Sequence, residues 1–342
     1  MERYSSDTDV QAYLTTLQTP VRQPGAALRQ LVDAGLAHLP YPAGGATLQR
    51  WRGLACVAAH DLSLCKLYEG HTDALAIIAE VQNHPPFDIP ADSTWGMWAA
   101  EPPHAKVQLN ARTSSHEVRL DGLKAWCSGA AQISHALITC WDEEGQQQLV
   151  AVALQQPGVE ITSNGWNAVG MAASGSVEVR FEQARGHLIG VPGAYLKRPG
   201  FWQGGGGIGA CWFGAAQALG EALRSHCAKR SEPHALAHLG ALDTVLTATA
   251  ACLRSTAAWI DEQPFANAEL PVRRLRSQCE YAAVQALEHV GRALGAAPYC
   301  RDEKFAQLLA DLPVYVRQSH AERDLAAQGE RVAELPEGSW ML

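Results

Sequence analysis

The sequence lacks any extended run of basic residues. Its 342 residues include 27 Lys and Arg against 35 Asp and Glu, which gives a formal net charge of −8. No basic run is longer than two residues, as in Lys229-Arg230 and Arg273-Arg274. Proteins that bind nucleic acid concentrate positive charge on one face to neutralise phosphates. The charge pattern therefore argues against nucleic acid as a partner.

Hydrophobic runs and paired cysteines are also scarce. No uninterrupted apolar run approaches the ~20 residues of a membrane span, and the segment Met1–Leu14 lacks the basic region and apolar core of a secretory signal. We therefore expect neither a membrane partner nor secretion. The nine cysteines are odd in number and widely spaced, with no C-x-x-C pair. This pattern predicts free thiols in a reducing cytoplasm.

Two segments follow the period of amphipathic helices. Apolar residues recur at i, i+3, i+4 and i+7 from about Asp9 to Val81 and again from about Gly206 to Arg331. In the second segment, long helices rich in Ala and Leu are predicted over Ala241–Ile260, Val272–Leu294 and Lys304–Gly329. Helices that are apolar on most faces pack on several sides, in a bundle or at a subunit interface. A homodimer or homotetramer is therefore expected.

The segment between them has the pattern of short strands. Five strands are predicted, separated by turn signals such as Asp121-Gly122 and Glu144-Gly145, at residues 107–110, 117–120, 136–139, 149–154 and 177–181. Evenly spaced short strands favour a small barrel or sandwich over alternating strand–helix units. The predicted fold class is α+β, with an N-terminal helical domain (1–93), a middle β-domain (94–195) and a C-terminal four-helix bundle (196–342).

Distinctive motifs follow one another along the β-domain and the start of the bundle. They are the segments Trp98–Pro102 (WAAEP), Trp126–Ser128 (WCS), Gly170–Glu182 (GMAASGSVEVRFE) and the glycine run Gly204–Gly207. In this order, with helical segments on either side, they resemble the acyl-CoA dehydrogenase superfamily of flavoenzymes. The resemblance covers nearly the whole chain and implies that family's fold.

The resemblance also implies a flavin site. In the family, the aromatic residue of the second motif covers the flavin ring and the hydroxyl contacts the reactive edge of the ring. Carried over to this sequence, an FAD would contact Trp98, Ala99, Ala100, Trp126, Cys127 and Ser128. Arg230, Gly291 and Gly295 stand near the family's conserved Arg and glycine-turn positions and are added to the cofactor-binding set.

The sequence departs from the family at the catalytic base. Dehydrogenation of an acyl-CoA uses a Glu carboxylate to remove a proton while hydride moves to the flavin. In an alignment from Arg301-Asp302, Ala310 holds the position of this Glu and Asp311 follows one residue later. Asp311 is the candidate base, and a surface or helix-start acid is the other interpretation of it. Ala100 also stands where the family has Thr or Ser before Glu-Pro, and in the loop that follows, proline and bulky side chains replace the family's small flexible residues.

A second branch of the superfamily, the two-component flavin monooxygenases, needs no such Glu. These enzymes take reduced flavin (FMNH2 or FADH2) from a reductase and react it with O2. The chain resembles them in Ser174-Gly175-Ser176 and in an R-x-x-H-x-x-x-D pattern from Arg317 to Asp324. In that pattern His320 and Asp324 are predicted on one helical face, where Asp could orient a proton-donating His. A solvated surface helix is the alternative interpretation.

Other motifs carry less weight. Gly204, Gly206 and Gly209 match G-x-G-x-x-G, but no strand precedes them and no βαβ unit surrounds them, so a dinucleotide-binding fold is not predicted. Glycines there are expected to permit close backbone approach. His234 and His238 lie at i and i+4 without an evident third ligand, so no metal site is expected.

Three functions remain open on the sequence. The first is FAD-dependent oxidation of an acyl thioester or a related small molecule, linked to CoA or to a carrier, with electrons passed to an electron-transfer flavoprotein. The second is a monooxygenase or N-oxygenase that receives flavin from a reductase. The third is a subunit that keeps the fold without catalysis. The acyl pocket of the first function would be lined by generic apolar side chains, so the sequence does not identify a substrate.

Overall fold

The computed structural model describes residues 4–81, 87–112 and 114–341, and within them the order of elements is helices, strands, helices. The N-terminal helices are α1 (Asp7–Leu14), α2 (Pro24–Asp33), α3 (Thr47–His60) and α4 (Leu62–Val81). The strands are β1 (Trp95–Trp98), β2 (Val107–Arg112), β3 (Glu117–Cys127), β4 (His135–Trp141), β5 (Gln147–Ala153), β6 (Val159–Ile161) and β7 (Val177–Ile189). The C-terminal helices are α5 (Ala194–Lys197), α6 (Gly200–Lys229), α7 (Pro233–Glu262), α8 (Glu269–Leu294), α9 (Ala296–Arg301), α10 (Glu303–Tyr315) and α11 (Glu322–Ala333).

The strands form a small closed sheet. In the described residues β2 pairs with β3, β3 with β7, β7 with β5 and β5 with β4, and a single bridge between Gln108 and Trp141 joins β4 back to β2. β1 pairs with β4 in parallel, and β6 pairs with β7. The β-domain is therefore a closed ring of five strands with two short additions. Inward-facing Leu120, Ile138 and Phe181 fill it, as alternation along the strands requires.

Helix α6 is the central element of the helical part. It packs on α3, α7 and α8. The glycine run lies inside α6 rather than before it, because the helix begins at Gly200. A Cβ at Gly206 would lie 2.6 Å from the ring of Trp51, and one at Gly207 would lie 2.9 Å from the Leu54 side chain. These glycines let α6 approach α3 closely, as expected from the sequence.

Helix α7 has the length and composition of a membrane span. Its most apolar 18-residue window has a mean hydropathy of 1.4 and is 17% buried. The sequence has no uninterrupted apolar run of this length, and α7 passes on length and composition because its small and apolar residues are only sparsely interrupted by charge. In the structure α7 packs against α3, α6 and α8 and buries Leu242, Leu253 and Ile260. Much of the rest of this helix is exposed on the described chain.

The last predicted helix, Lys304–Gly329, is interrupted. α10 ends at Tyr315, a short 3-10 turn covers Val316–Gln318, and α11 begins only at Glu322. Pro313 lies in the last turn of α10, and Ala321 has a φ of 47° in the left-handed region. Both features oppose a continuous helix. The interruption brings residues 315–321 to the edge of a cavity.

Candidate functional site

A cavity of about 800 Å³ lies between the β-domain and the helices. Five predicted site residues of the β-domain line it: Trp98, Ala99, Ala100, Trp126 and Ser128. α4, α6 and α8 supply other lining residues, and the segment after α10 contributes Tyr315 and His320. The volume is within the ~300–1,000 Å³ typical of small-molecule and cofactor sites.

Trp126 presents an unpacked aromatic ring to this cavity. It ends the regular pairing of β3 with β7, where the register shifts between Lys124 and Cys127. Its φ is 55°, and the residue is 51% exposed, unlike the buried Trp95 and Trp98 nearby. A bulky residue in the left-handed region is strained, and such strain concentrates at functional sites. The ring is therefore held where a flat ligand can stack on it.

A hydrogen-bond network fixes the two segments that carry the predicted contacts. The indole N–H of Trp98 donates to the carbonyl of Ser128 over 3.2 Å. Below them, the buried Lys124 ammonium donates to Glu101 and to both oxygens of Thr139. Glu101 also accepts from Thr139 and Trp141, and these bonds hold the pKa of its carboxyl below the usual value against the opposing effect of burial. Ala99 and Ala100 are thus anchored by the carboxylate that follows them.

Three serines form a continuous hydroxyl chain beside Trp126. The Ser128 and Ser176 hydroxyl oxygens are 2.8 Å apart, and those of Ser176 and Ser174 are 2.9 Å apart. The Ser174 hydroxyl donates to the carbonyl of Met171. This bond fixes the direction of the chain, because a hydroxyl donates only one hydrogen. Ser174 therefore accepts from Ser176, whose single hydrogen is then used, and Ser176 accepts from Ser128.

His320 also lines the cavity. It precedes α11, so the prediction that His320 and Asp324 share a helical face is wrong, although the two residues do meet. Asp324, in the first turn of α11, accepts the backbone N–H of His320 over 3.0 Å, and its carboxylate lies 3.7 Å from the ring Nδ1. Glu280 on α8 binds Arg317 and Ser319 in the same segment. The His320 side chain is 63% exposed and accessible from the cavity.

Asp311 is placed outside the lining of the cavity. Its carboxylate accepts the backbone N–H of Met171 and the side-chain amide of Gln307. Burial raises the pKa of Asp311 to about 6, against the lowering effect of these two bonds. The residue fixes the turn at Met171, which has a φ of 59°. The carbonyl oxygen of Ala310 lies against Gly170, and a Cβ added at Gly170 would be only 1.9 Å from that oxygen.

The helical side of the cavity carries charged residues that the sequence interpretation did not identify. Lys66 and Glu69 of α4 form an ion pair of 2.7 Å, with Asp73 one turn further on. Burial raises the pKa of Glu69, and the neighbouring carboxylate raises the pKa of Lys66 despite burial. Arg276 of α8 completes this side. The sequence did contain a signal for this side of the site, because Glu69 is a charged residue within the largely apolar segment LCKLYEG of α4.

The remaining predicted cofactor residues do not line the cavity. Cys127 is buried and its thiol donates to the carbonyl of Lys124, while burial raises its pKa well above the usual thiol value. Arg230 is exposed at the end of α6. The Tyr299 hydroxyl packs on Gly291, where an added Cβ would lie 2.5 Å from the hydroxyl oxygen. Gly295 caps the end of α8 with a φ of 63°. The two glycines therefore have structural explanations within one chain.

A second cavity, of about 880 Å³, lies between α1, α3, α6, α7 and α10. It contains none of the predicted site residues. His60, on its wall, has an unpartnered Nε2, and burial lowers its pKa to about 4. We therefore take the cavity at Trp126 as the candidate active site.

No family model matches the chain, and no curated protein matches it. Solved structures do resemble it closely in fold. FMN-bound TdsC from Paenibacillus sp. A11-2 superposes with a TM-score of 0.80 at 16% identity, over 96% of this chain and 98% of that chain. Methanesulfinate monooxygenase MsuC from Pseudomonas fluorescens gives 0.81 at 18% identity, over 98% of both chains.

A third similar structure is the nitrososynthase from Micromonospora carbonacea var. africana, with a TM-score of 0.77 at 17% identity over 96% of this chain and 94% of that chain. TdsC is also described as a dibenzothiophene monooxygenase. Sequence identities this low establish the fold alone. They confirm, in coarse form, the helix, β-domain and helix architecture that the resemblance to the acyl-CoA dehydrogenase superfamily predicts.

Proposed function

We propose that this protein is a flavin-dependent monooxygenase that uses reduced FMN or FAD supplied by a reductase. The observation that carries the proposal is that the exposed ring of Trp126, the Ser128 hydroxyl and His320 line one cavity, whereas Asp311 does not. The similar folds of two monooxygenases support the same function.

The residues at the cavity fit a flavin. A flavin ring needs an apolar aromatic wall and a few fixed polar groups at its edge. Trp126 offers the wall, because its ring is half exposed on a strained backbone that neighbouring contacts hold in place. Ser128 offers a hydroxyl already aligned by Ser176. The backbone of Ala99 and Ala100 lies alongside and is fixed by Glu101.

A reduced flavin bound there would supply the two electrons with which O2 gives one oxygen atom to a substrate and the other to water. The chain's own residues would then manage protons. His320 is placed to exchange a proton with groups in the cavity, and Asp324 positions it through the backbone N–H. The hydroxyl chain directs its hydrogens from Ser128 toward the carbonyl of Met171, so the Ser128 oxygen is left to accept a hydrogen bond from the edge of the bound ring.

Oxidation of an acyl thioester receives less support. Its catalytic carboxylate would be Asp311, but this side chain is 1% exposed and bonded to the turn at Met171. Ala310 offers no carboxylate at all. We therefore assign Asp311 a positioning role, in which it holds the turn that presents Ser174 and Ser176.

The test compares His320→Gln and Asp311→Asn with the wild type. Flavin affinity is measured by titration with oxidised and reduced FMN and FAD, and the reoxidation of reduced flavin by O2 is followed in a stopped-flow instrument. We expect flavin binding in all three proteins. His320→Gln should change the rate of the proton-dependent step about 10²-fold or more, and Asp311→Asn should not.

Two results would contradict the proposal. One is the absence of flavin binding by the wild type under all four conditions. The other is rapid reduction of bound FAD by acyl-CoAs that survives His320→Gln, which would restore the dehydrogenase interpretation. A reductase that accelerates turnover when added in trans would support the proposed partner.

A further inference from the structure

Arg276 differs from the other cations that line the active-site cavity. Four of them have a carboxylate partner: Lys66 pairs with Glu69, Arg198 with Glu80, Arg273 with Glu269 and Arg317 with Glu280, all at 2.6–3.0 Å. In the described part of the chain no carboxylate lies within 4.0 Å of the Arg276 guanidinium. Among the lysines and arginines that line the cavity in the described part of the chain, Arg276 is the one without an ion pair.

The position of Arg276 is nevertheless fixed. One nitrogen donates to the carbonyl of Gly205 over 2.9 Å, and the guanidinium lies 4.9 Å from the ring centre of Trp212. Gly205 has no side chain, and a Cβ there would meet nothing within 4 Å. The guanidinium has five N–H donors in a planar fork, so four remain after the bond to Gly205. Arg276 is one of the residues that line the cavity.

Burial of this arginine is costly without an anion. Desolvation lowers the pKa of Arg276, against the raising effect of more distant carboxylates that include Asp324, Glu69 and Glu280. An unpaired buried charge is disfavoured, and the penalty is relieved when an oppositely charged group arrives. A planar oxyanion such as a carboxylate accepts two parallel bonds from a guanidinium.

We propose that Arg276 binds a carboxylate, or a comparable oxyanion, on the substrate of this enzyme. The inference rests on the proposed function in that it takes the cavity at Trp126 as the substrate site. Arg276 is on α8 and bonds to α6, whereas the predicted flavin contacts that line the cavity lie on the β-domain. The anionic end of the substrate is therefore held by the helices, and its other end is directed toward Trp126, Ser128 and His320.

A phosphate of the flavin has the same chemistry as a substrate oxyanion, so the experiment separates the two sources. Calorimetric titrations with benzoate and with its neutral match benzamide are made on the full chain, with and without saturating FMN. The same titrations use indole-3-acetate and indole-3-acetamide. FMN and riboflavin are titrated in parallel, because riboflavin lacks the phosphate.

The variants are Arg276→Gln, Arg276→Lys and the control Arg224→Gln. The side chain of Arg224 is 60% exposed, pairs with Glu221 and lies outside this cavity. We expect the wild type and Arg224→Gln to bind each carboxylate at least about 10-fold tighter than its amide. Arg276→Gln should remove this preference. Arg276→Lys keeps the charge but not the planar fork, and it should retain part of the preference for carboxylates. This variant and circular dichroism together distinguish loss of the guanidinium from a folding defect.

Three results would overturn the inference. They are no preference for the carboxylates in the wild type, a preference that survives Arg276→Gln, and a loss of affinity for FMN but not riboflavin in Arg276→Gln. The last result would assign Arg276 to the flavin phosphate. If the wild type binds no flavin but shows the Arg276-dependent preference, the proposed monooxygenase function fails while the oxyanion site stands.

Discussion

The indole of Trp98 donates to the backbone carbonyl of Ser128, so one bond joins the two segments that the sequence analysis assigned separately to the flavin. Trp98 ends β1 and Ser128 follows β3, strands that do not pair with each other in the described sheet. Because the bond uses backbone on one side, it fixes the path of the chain at Trp126 and Ser128 regardless of the neighbouring side chains.

Replacement of Trp126 by Ala should weaken flavin binding. Aromatic stacking contributes ~0.5–1.5 kcal/mol beyond buried area, which corresponds to about a 2- to 10-fold increase in Kd. Trp126→Phe keeps a ring and should retain most of the affinity. Fluorescence titration with FMN measures the effect. Equal affinities for the wild type and Trp126→Ala would remove this ring from the site.

Asp311 should make stability depend on pH in an unusual direction for an acid. Its pKa is about 6 in the folded protein against an ordinary value of 3.8, so the folded state binds the proton more tightly. Stability from this group is present below about pH 4 and is lost as pH rises through 6. Asp311→Asn does not titrate. The free energy of unfolding of this variant, relative to the wild type, should therefore rise by up to about 2 kcal/mol between pH 4 and pH 7.

Urea denaturation at several pH values measures this difference. Asp302→Asn is a useful control, because Asp302 is an exposed aspartate that caps the start of α10. A relative stability of Asp311→Asn that stays constant or falls with pH would contradict the expected direction.

Gly205 and Gly206 form a matched pair in α6. At Gly205 a Cβ meets open space, so Gly205→Ala should stabilise the helix by about 0.5–1 kcal/mol and slightly narrow the cavity. At Gly206 a Cβ would lie 2.6 Å from the Trp51 ring, which must then move. Gly206→Ala should therefore be less stable than Gly205→Ala by about 1–3 kcal/mol. Thermal unfolding of both variants is the measurement, and equal stabilities would contradict the packing argument.

The chain should form a homodimer or a homotetramer. Large apolar side chains remain exposed on the helical bundle, including Leu236 on α7 and Tyr281 and Val284 on α8. Extended apolar surface of this kind marks subunit interfaces. Light scattering should give two or four times the mass of one chain, and Val284→Glu should reduce it. A single-chain mass at micromolar concentration would disprove the prediction.

Local patterns predicted much of the fold. Alternation and turn residues gave the strands near His135–Trp141 and Gln147–Ala153, and the helical period gave α7 and α8. β7 is longer than predicted, because its second half pairs with both β3 and β5 and pairing depends on distant strands. Closure of the sheet rests on the single bridge between Gln108 and Trp141, which no local pattern encodes.

The site was less accessible to sequence reasoning. Trp126 and Ser128 carry a recognisable motif, and the structure places both at the cavity. The interruption before α11 was missed because the charged segment RQSHAERD keeps a helical pattern, while Ala321 adopts a left-handed conformation that residue type does not indicate. The sequence does not show that Arg276 lacks an ion pair, because this depends on which carboxylates pair with the other cations of the cavity.

Glu280 joins α8 to the segment that carries His320. Its two carboxylate oxygens bind Arg317 and Ser319, and these residues precede His320. The next residue on α8, Tyr281, is exposed on the outer surface. A subunit that packs against Tyr281 and shifts α8 would move Glu280, and with it the imidazole. Assembly and proton transfer would then be linked through a single carboxylate, and a change in subunit contacts would alter turnover without any substitution in the cavity lining.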